Sequence, residues 1–237
     1  NTFRQIYFNA DGKIVCGASG VLNSAAGYNQ IAFGNPNSFG CGYVDLGGLD
    51  QPFSTIFYNT TPPPNPPRGT VYSETDAYLI GQRNDREGVQ TFVNAEFTGK
   101  AGFWQNGSVS NTISSGSSPT TGKFRVSKGG LTLEKVSLPN ASEMLVDGGV
   151  LYIRATGASR TFGAKTTDLK ITGGTMDIEG GTVRVKTLTV GEAKLPDGFY
   201  GALDCTDKRV PPENKLACLT GAGVVRSGSI GLSVIVR

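Results

Sequence analysis

The stretch LKITGGTMDIEGGTVRVKTLTV, residues 169–190, decides how the chain is read. It holds three short apolar-alternating runs, Met176-Asp-Ile178, Val183-Arg-Val185 and Leu188-Thr-Val190, with only Glu-Gly-Gly-Thr and Lys-Thr breaks between them. Alternation with period two places Met176/Ile178 and Val183/Val185 on one face and Asp177/Glu179 and Arg184/Lys186 on the other. Hairpins built from strands this short are poorly stable in water. Three of them turning the same way form one rung of a prism. Stacked rungs pair parallel strands and bury the inward side chains as a column.

The same grammar extends toward the amino end. Phe124-Arg-Val-Ser-Lys-Gly-Gly-Leu-Thr-Leu133 and Leu145-Val-Asp-Gly-Gly-Val-Leu-Tyr-Ile153 each join two alternating runs through a glycine pair, which supplies the positive φ of a sharp corner. In the first of these the apolar residues follow the glycines one place earlier, so the repeat is degenerate. Rungs of roughly 20 residues give on the order of ten layers and, at ~4.8 Å each, a body about 50 Å long. The expected fold is all-β: a right-handed parallel β-helix (β-solenoid) forming a single domain over residues 1–237. A β-sandwich, which also suits short strands with glycine turns, is the alternative.

The amino-terminal half uses this alphabet less regularly. Gln5–Phe8, Lys13–Cys16, Gln30–Phe33, Tyr43–Leu46 and Thr55–Tyr58 are strand candidates. The proline-rich Thr60–Gly69 lacks the donors a sheet interior needs and is expected to be an exposed extended loop. Asn106–Gly122, rich in Ser, Gly and Thr, is expected to be a flexible excursion. Asp204–Leu219 reads as a cysteine-bounded insertion, and Ser229–Arg237 as a strand closing the stack.

Composition narrows the chemistry. The 237 residues include no histidine, which excludes Ser-His-Asp and Cys-His catalysis and His-ligated zinc. A net charge of only +3 implies no strong attraction to nucleic acid. Glycine, with 34 residues, is about twice as frequent as usual. No run of ~20 apolar residues predicts a membrane-spanning helix, and Asn1 reads as a processed terminus. The four cysteines fall into local pairs, Cys16 with Cys41 and Cys205 with Cys218, and read as two disulfides of an extracytoplasmic protein.

Two fragments resemble the passenger regions of autotransporter-type and other secreted bacterial β-strand-repeat proteins. They are Tyr43-Val-Asp-Leu-Gly-Gly-Leu-Asp-Gln-Pro-Phe-Ser-Thr-Ile56 and Lys128-Gly-Gly-Leu-Thr-Leu133 with the Gly-Gly-Thr rungs after Ile171. Gly198-Phe-Tyr-Gly201 followed by Leu219–Val225 is similar to the end of such a repeat region. The resemblance covers about two-thirds of the chain, and implies the β-helical fold more than a role. The chain departs from complete autotransporters in having no membrane β-barrel and no long uniform array, and in carrying cysteines.

No nucleophile elbow, Walker loop or dinucleotide fingerprint is present, and no catalytic residue is assigned. Asp177 and Glu179, about 7 Å apart on one strand face, have the spacing of a carboxylate pair, although alternation places charges outward on any solenoid. Arg184 and Lys186 would serve a polysaccharide lyase as bases, and Trp104 with Phe103 would stack on sugar rings. Asp45 and Asp50 flank Gly47-Gly48 as possible calcium ligands, without the nonapeptide calcium repeat; no other cofactor is expected. These features point to an extracellular or cell-surface structural or adhesive protein, self-associating or meeting other surface proteins, with no membrane insertion. A polysaccharide-binding or polysaccharide-cleaving β-helix and a trimeric phage fibre module are the alternatives.

Overall fold

The structure, a computed structural model, describes residues 5–8, 12–22, 30–33, 42–53, 55–56, 69–84, 90–93, 95–154 and 161–228. No α-helix occurs among them. The strands begin with β1 (Gln5–Phe8), β2 (Gly12–Val15), β3 (Gln30–Phe33), β4 (Gly42–Asp45), β5 (Gln51–Phe53), β6 (Thr55–Ile56) and β7 (Gly69–Gly81). The middle carries β8 (Gln90–Val93), β9 (Ala95–Gln105), β10 (Ser110–Ser117), β11 (Lys123–Val126), β12 (Gly130–Ser137), β13 (Glu143–Val146) and β14 (Val150–Arg154). Then follow β15 (Asp168–Ile171), β16 (Thr175–Ile178), β17 (Thr182–Val185), β18 (Thr187–Val190), β19 (Ala193–Lys194), β20 (Gly198–Gly201), β21 (Leu219–Thr220) and β22 (Val224–Ser227).

These strands sort into four sheets. The largest runs β19-β18-β15-β13-β11-β9-β7-β4-β2, with β5 beside β7; a second runs β21-β16-β14-β12-β10-β8. Two smaller sheets have the orders β1-β3-β6 and β17-β22-β20. Every pairing between the named strands is parallel except β18–β19 and β20–β22. From β9 to β16 the chain visits the two large sheets alternately, and β16, β17 and β18 enter three different sheets. Residues 169–190 thus form parallel strands rather than hairpins, and they do not make the antiparallel layers of a sandwich.

Register turns the repeat into columns. Phe103, Phe124, Met144, Leu169 and Leu188 stand one above another in the largest sheet. Leu131, Leu151, Met176 and Leu219 do so in the second. All nine side chains are buried, and complete burial of an aliphatic or aromatic side chain stabilises by about 1.5–3 kcal/mol. The one-place shift at Gly129-Gly130 disappears here. Leu131 and Leu133 pair with Leu151 and Ile153, so the glycine pair slides while the apolar column holds.

The corner before β12 and β14 explains the glycines. Gly129 and Gly149 have φ of +63° and +64°, which side-chain-bearing residues rarely adopt. A Cβ on Gly149 would also strike the Gly129 carbonyl oxygen. That oxygen accepts a 2.9 Å hydrogen bond from the Val150 amide, and the Gly149 oxygen accepts one of 3.1 Å from Thr175. The corner therefore stacks backbone directly on backbone, which leaves no room for a side chain.

Several expectations need correction. The 106–122 segment is not an excursion: Ser110–Ser117 is β10, held in parallel between β8 and β12. Several of its polar residues are buried with partners inside, although the Ser108 and Ser114 hydroxyls have none among the described residues. Asn111 Nδ2 donates to Gln105 Oε1 at 2.5 Å, the Ser118 hydroxyl accepts from the Phe97 amide at 3.0 Å, and Thr120 Oγ1 donates to the Ala101 carbonyl at 2.6 Å. Gln105 Nε2 in turn donates to the Gly107 and Val109 carbonyls. Composition reports polarity but not this pairing.

The expected Cys205–Cys218 disulfide is not formed, since both residues carry free thiols. Cys205 packs into a small satellite core with Ala202, Val210 and Val224, whereas Cys218 packs against the main core. Their surroundings differ, and apolar packing rather than a covalent link seats the insertion. Cys16 is also a free, buried thiol, while Cys41 lies outside the described residues. So do residues 60–68 of the proline-rich loop, Gly69 being the first residue of β7, and the strand expected over Ser229–Arg237.

Candidate functional site

Alternation along β9 separates the two aromatic candidates. Phe103 points into the core, with its ring centroid 6.2 Å from that of Phe53 and 6.1 Å from that of Phe97. Stacking a sugar on Phe103 is thereby excluded. Trp104 faces outward, half-buried, and is already engaged. The Arg125 guanidinium lies 4.6 Å over its ring, Tyr78 meets it edge-on, and Nε1 donates to Ser127 Oγ at 2.8 Å. Ser127 donates onward to Asp147 Oδ1 at 2.7 Å, and Arg125 Nε donates to Asp147 Oδ2 at 3.0 Å. The group braces β9, β11 and the turn after β13.

The two carboxylate candidates have different surroundings. Asp177 is paired with Arg154 and accepts a 2.8 Å hydrogen bond from Thr220, while Glu179 is exposed beyond the end of β16. An acid already bound to a guanidinium is poorly suited to act as a general acid. Lys186 lies 3.5 Å from Asp168. Asp45 accepts from the Gly47 amide within its own turn, and Asp50 accepts from the Tyr78 amide of β7, so each carboxylate already serves a backbone donor. Among the described residues no group of three or more Cys, Asp or Glu side chains gathers as a metal site. Burial and the nearby Asp45 carboxylate push the Cys16 thiol to about 11, so it stays protonated and unreactive at neutral pH.

Asp147 and Asp177 share an electrostatic pattern. Burial pushes each carboxyl upward, but hydrogen bonds from Arg125 and Ser127, or from Arg154 and Thr220, outweigh it and leave both below the usual carboxylate value. A carboxyl depressed on folding adds stability above its unfolded pKa of about 3.9, and this is lost as pH falls through the folded value. The double variant Asp147→Asn/Asp177→Asn is therefore expected to lower stability by about 1 kcal/mol per site at pH 7. It should also flatten the loss below about pH 4. Urea midpoints at pH 7, 4 and 3 check this; an acid limb as steep as in the unaltered protein would refute it.

Arg184 is the candidate that leads to a constructed surface. It projects from β17 while Val183 and Val185 are fully buried on the opposite face. Parallel pairing sets Arg184 beside Arg226 of β22, and antiparallel pairing sets Arg226 beside Phe199 of β20. The insertion adds Arg209. Its guanidinium lies 4.8 Å from the Phe199 ring centroid, and that of Arg226 lies 4.9 Å from it. Arg209 Nη2 also donates to Thr182 Oγ1 at 3.3 Å. Thr182, Arg184, Phe199, Arg209 and Arg226 line an open cleft of about 330 Å³.

Charge in this cleft is unbalanced. Asp207 engages Arg209 through contacts of 2.6, 3.0 and 3.2 Å, and those hydrogen bonds hold its carboxyl at about 2. Arg184 and Arg226 have no acidic partner among the described residues. Like charges directly opposite across a strand pair are destabilising, and a bound anion would offset such repulsion. Lys186 and Glu179 do not line the cleft. Phe199, Arg209 and Arg226 were not among the sequence candidates, because the β17–β22 register spans a long intervening segment that follows no repeat. Comparisons with protein-family models, curated proteins and solved structures find no match for this chain.

Proposed function

We propose that the chain is a right-handed parallel β-solenoid acting outside the cell as a stiff structural or adhesive element. The observation that carries this reading is the parallel ladder from β2 to β18, built from strands that alternate along the chain with those of a second parallel sheet. A ladder of this kind resists bending because each layer is tied to the next by backbone hydrogen bonds and by buried columns. The Gly, Thr, Ser and Asn-rich composition and the low net charge suit an exposed surface rather than a nucleic-acid partner.

Adhesion is favoured over growth by strand addition at the β18 end. There β19 folds back antiparallel on β18 and occupies its edge, a device that blocks pairing with another chain. Self-association, where it occurs, would then use side faces or the opposite end. Cryo-electron microscopy of the purified protein over a range of concentrations tests the reading. Elongated single particles support it, the eight parallel strands from β2 to β18 alone accounting for about 35 Å of the long axis at ~4.8 Å per layer. Isotropic particles would overturn the rod, and stable trimers would favour a fibre module.

A further inference from the structure

We infer that the Arg184–Arg226–Arg209 cleft is a binding site for an anionic sugar unit, one bearing a carboxylate or sulfate. The inference stands apart from the solenoid reading, since it depends only on the local sheet β17-β22-β20 and the insertion.

Three observations carry it. First, Arg184 and Arg226 are register partners that line one concavity, without an acidic partner among the described residues. Guanidinium forks match carboxylate and sulfate oxygens with two parallel hydrogen bonds. Secondly, two of the three arginines, Arg209 and Arg226, are held against Phe199. Asp207 with Thr182 also fixes Arg209, so these two have little side-chain entropy left to lose on binding. Thirdly, the site is small and local. A cleft of about 330 Å³ accepts a sugar-sized group. It is not the extended basic track that a nucleic-acid strand needs, and the whole chain carries only +3. In this arrangement Arg184 and Arg226 clamp the anionic group, Thr182 offers a hydroxyl to the ring substituents, and Arg209 bounds the far wall.

Isothermal titration of the full chain with oligogalacturonate, a sulfated heparin oligosaccharide, a neutral maltooligosaccharide, sodium sulfate and a single-stranded DNA oligonucleotide tests the assignment. Binding to one of the two acidic oligosaccharides, with the neutral one inert and sulfate alone weaker, is the expected result. Arg184→Gln and Arg226→Gln should each weaken it about tenfold or more, the usual consequence of losing a charge-assisted hydrogen bond. Lys128→Gln, on a different part of the surface, should leave it unchanged. Circular dichroism confirms that each variant is folded. Since both arginines lie on the outer face of their strands, the glutamine variants are expected to retain the fold. Equal affinity in the arginine variants, equal affinity for the neutral sugar, or tighter binding of the oligonucleotide would overturn the assignment. None of these outcomes bears on particle shape, so failure here and failure of the solenoid reading are separable.

Discussion

Replacing Phe124 by alanine is expected to lower stability by about 4 kcal/mol, the middle of the range for deleting a buried aromatic ring. Phe124 is fully buried in the longer of the two columns, between Phe103 and Met144. Its ring meets Phe97 edge to face at a centroid distance of 5.6 Å. Removing it leaves a cavity walled by side chains that are themselves locked by register, so collapse is limited. The aromatic pair contributes about 0.5–1.5 kcal/mol beyond its area and is lost as well. Phe124→Leu keeps most of the volume and should cost much less. Guanidinium denaturation of the three proteins decides the matter; a loss below about 1 kcal/mol in the alanine variant would mean that the column is not closely packed.

The second large effect is expected at the corner. Gly149→Val places a branched side chain at φ +64° and drives its Cβ into the Gly129 carbonyl oxygen. The positive φ alone costs about 1–2 kcal/mol for a residue with a Cβ. The collision further requires either the Gly129–Val150 hydrogen bond or the spacing of two layers to give way. A loss of at least about 3 kcal/mol is expected, or failure to fold. Gly180→Ala is the matched control, because a Cβ there meets nothing within 4 Å and its φ is not positive. That variant should stay within about 0.5 kcal/mol of the unaltered protein. Comparable losses in both would show that the corner tolerates side chains and that its glycines have another cause.

The contrast between these two glycines shows what the sequence could convey. Alternation in Met176–Val190 was legible because inward and outward side chains differ in polarity, and the structure buries Met176, Ile178, Val183 and Val185 as that pattern requires. Parallel pairing was legible from strand length, since such short strands need neighbours that repeat at a distance. What could not be read was pairing that polarity does not encode. β10 looks like a linker because most of its buried side chains are polar, and Asn111 is paired with Gln105 of the preceding strand β9. Arg226 and Phe199 reach Arg184 through pairings that skip the whole insertion, so no local spacing announces them. The cysteines misled because proximity in sequence was read as proximity in space, whereas Cys205 and Cys218 belong to different cores.

The buried hydroxyls of Ser118 and Thr120, which bond the Phe97 amide and the Ala101 carbonyl one layer away, have a consequence for how this chain finds one alignment. The apolar columns are nearly interchangeable. Leu131 would sit about as comfortably beside Met176 as beside Leu151, so oily contacts alone barely penalise a strand that docks one layer too far along. A layer displaced by one step would instead take these hydroxyls away from the groups they bond, at a penalty of roughly 1–3 kcal/mol for each orphaned group. A few such residues in an otherwise greasy stack act as a vernier: they add little to how firmly the layers hold, and they decide which layer meets which.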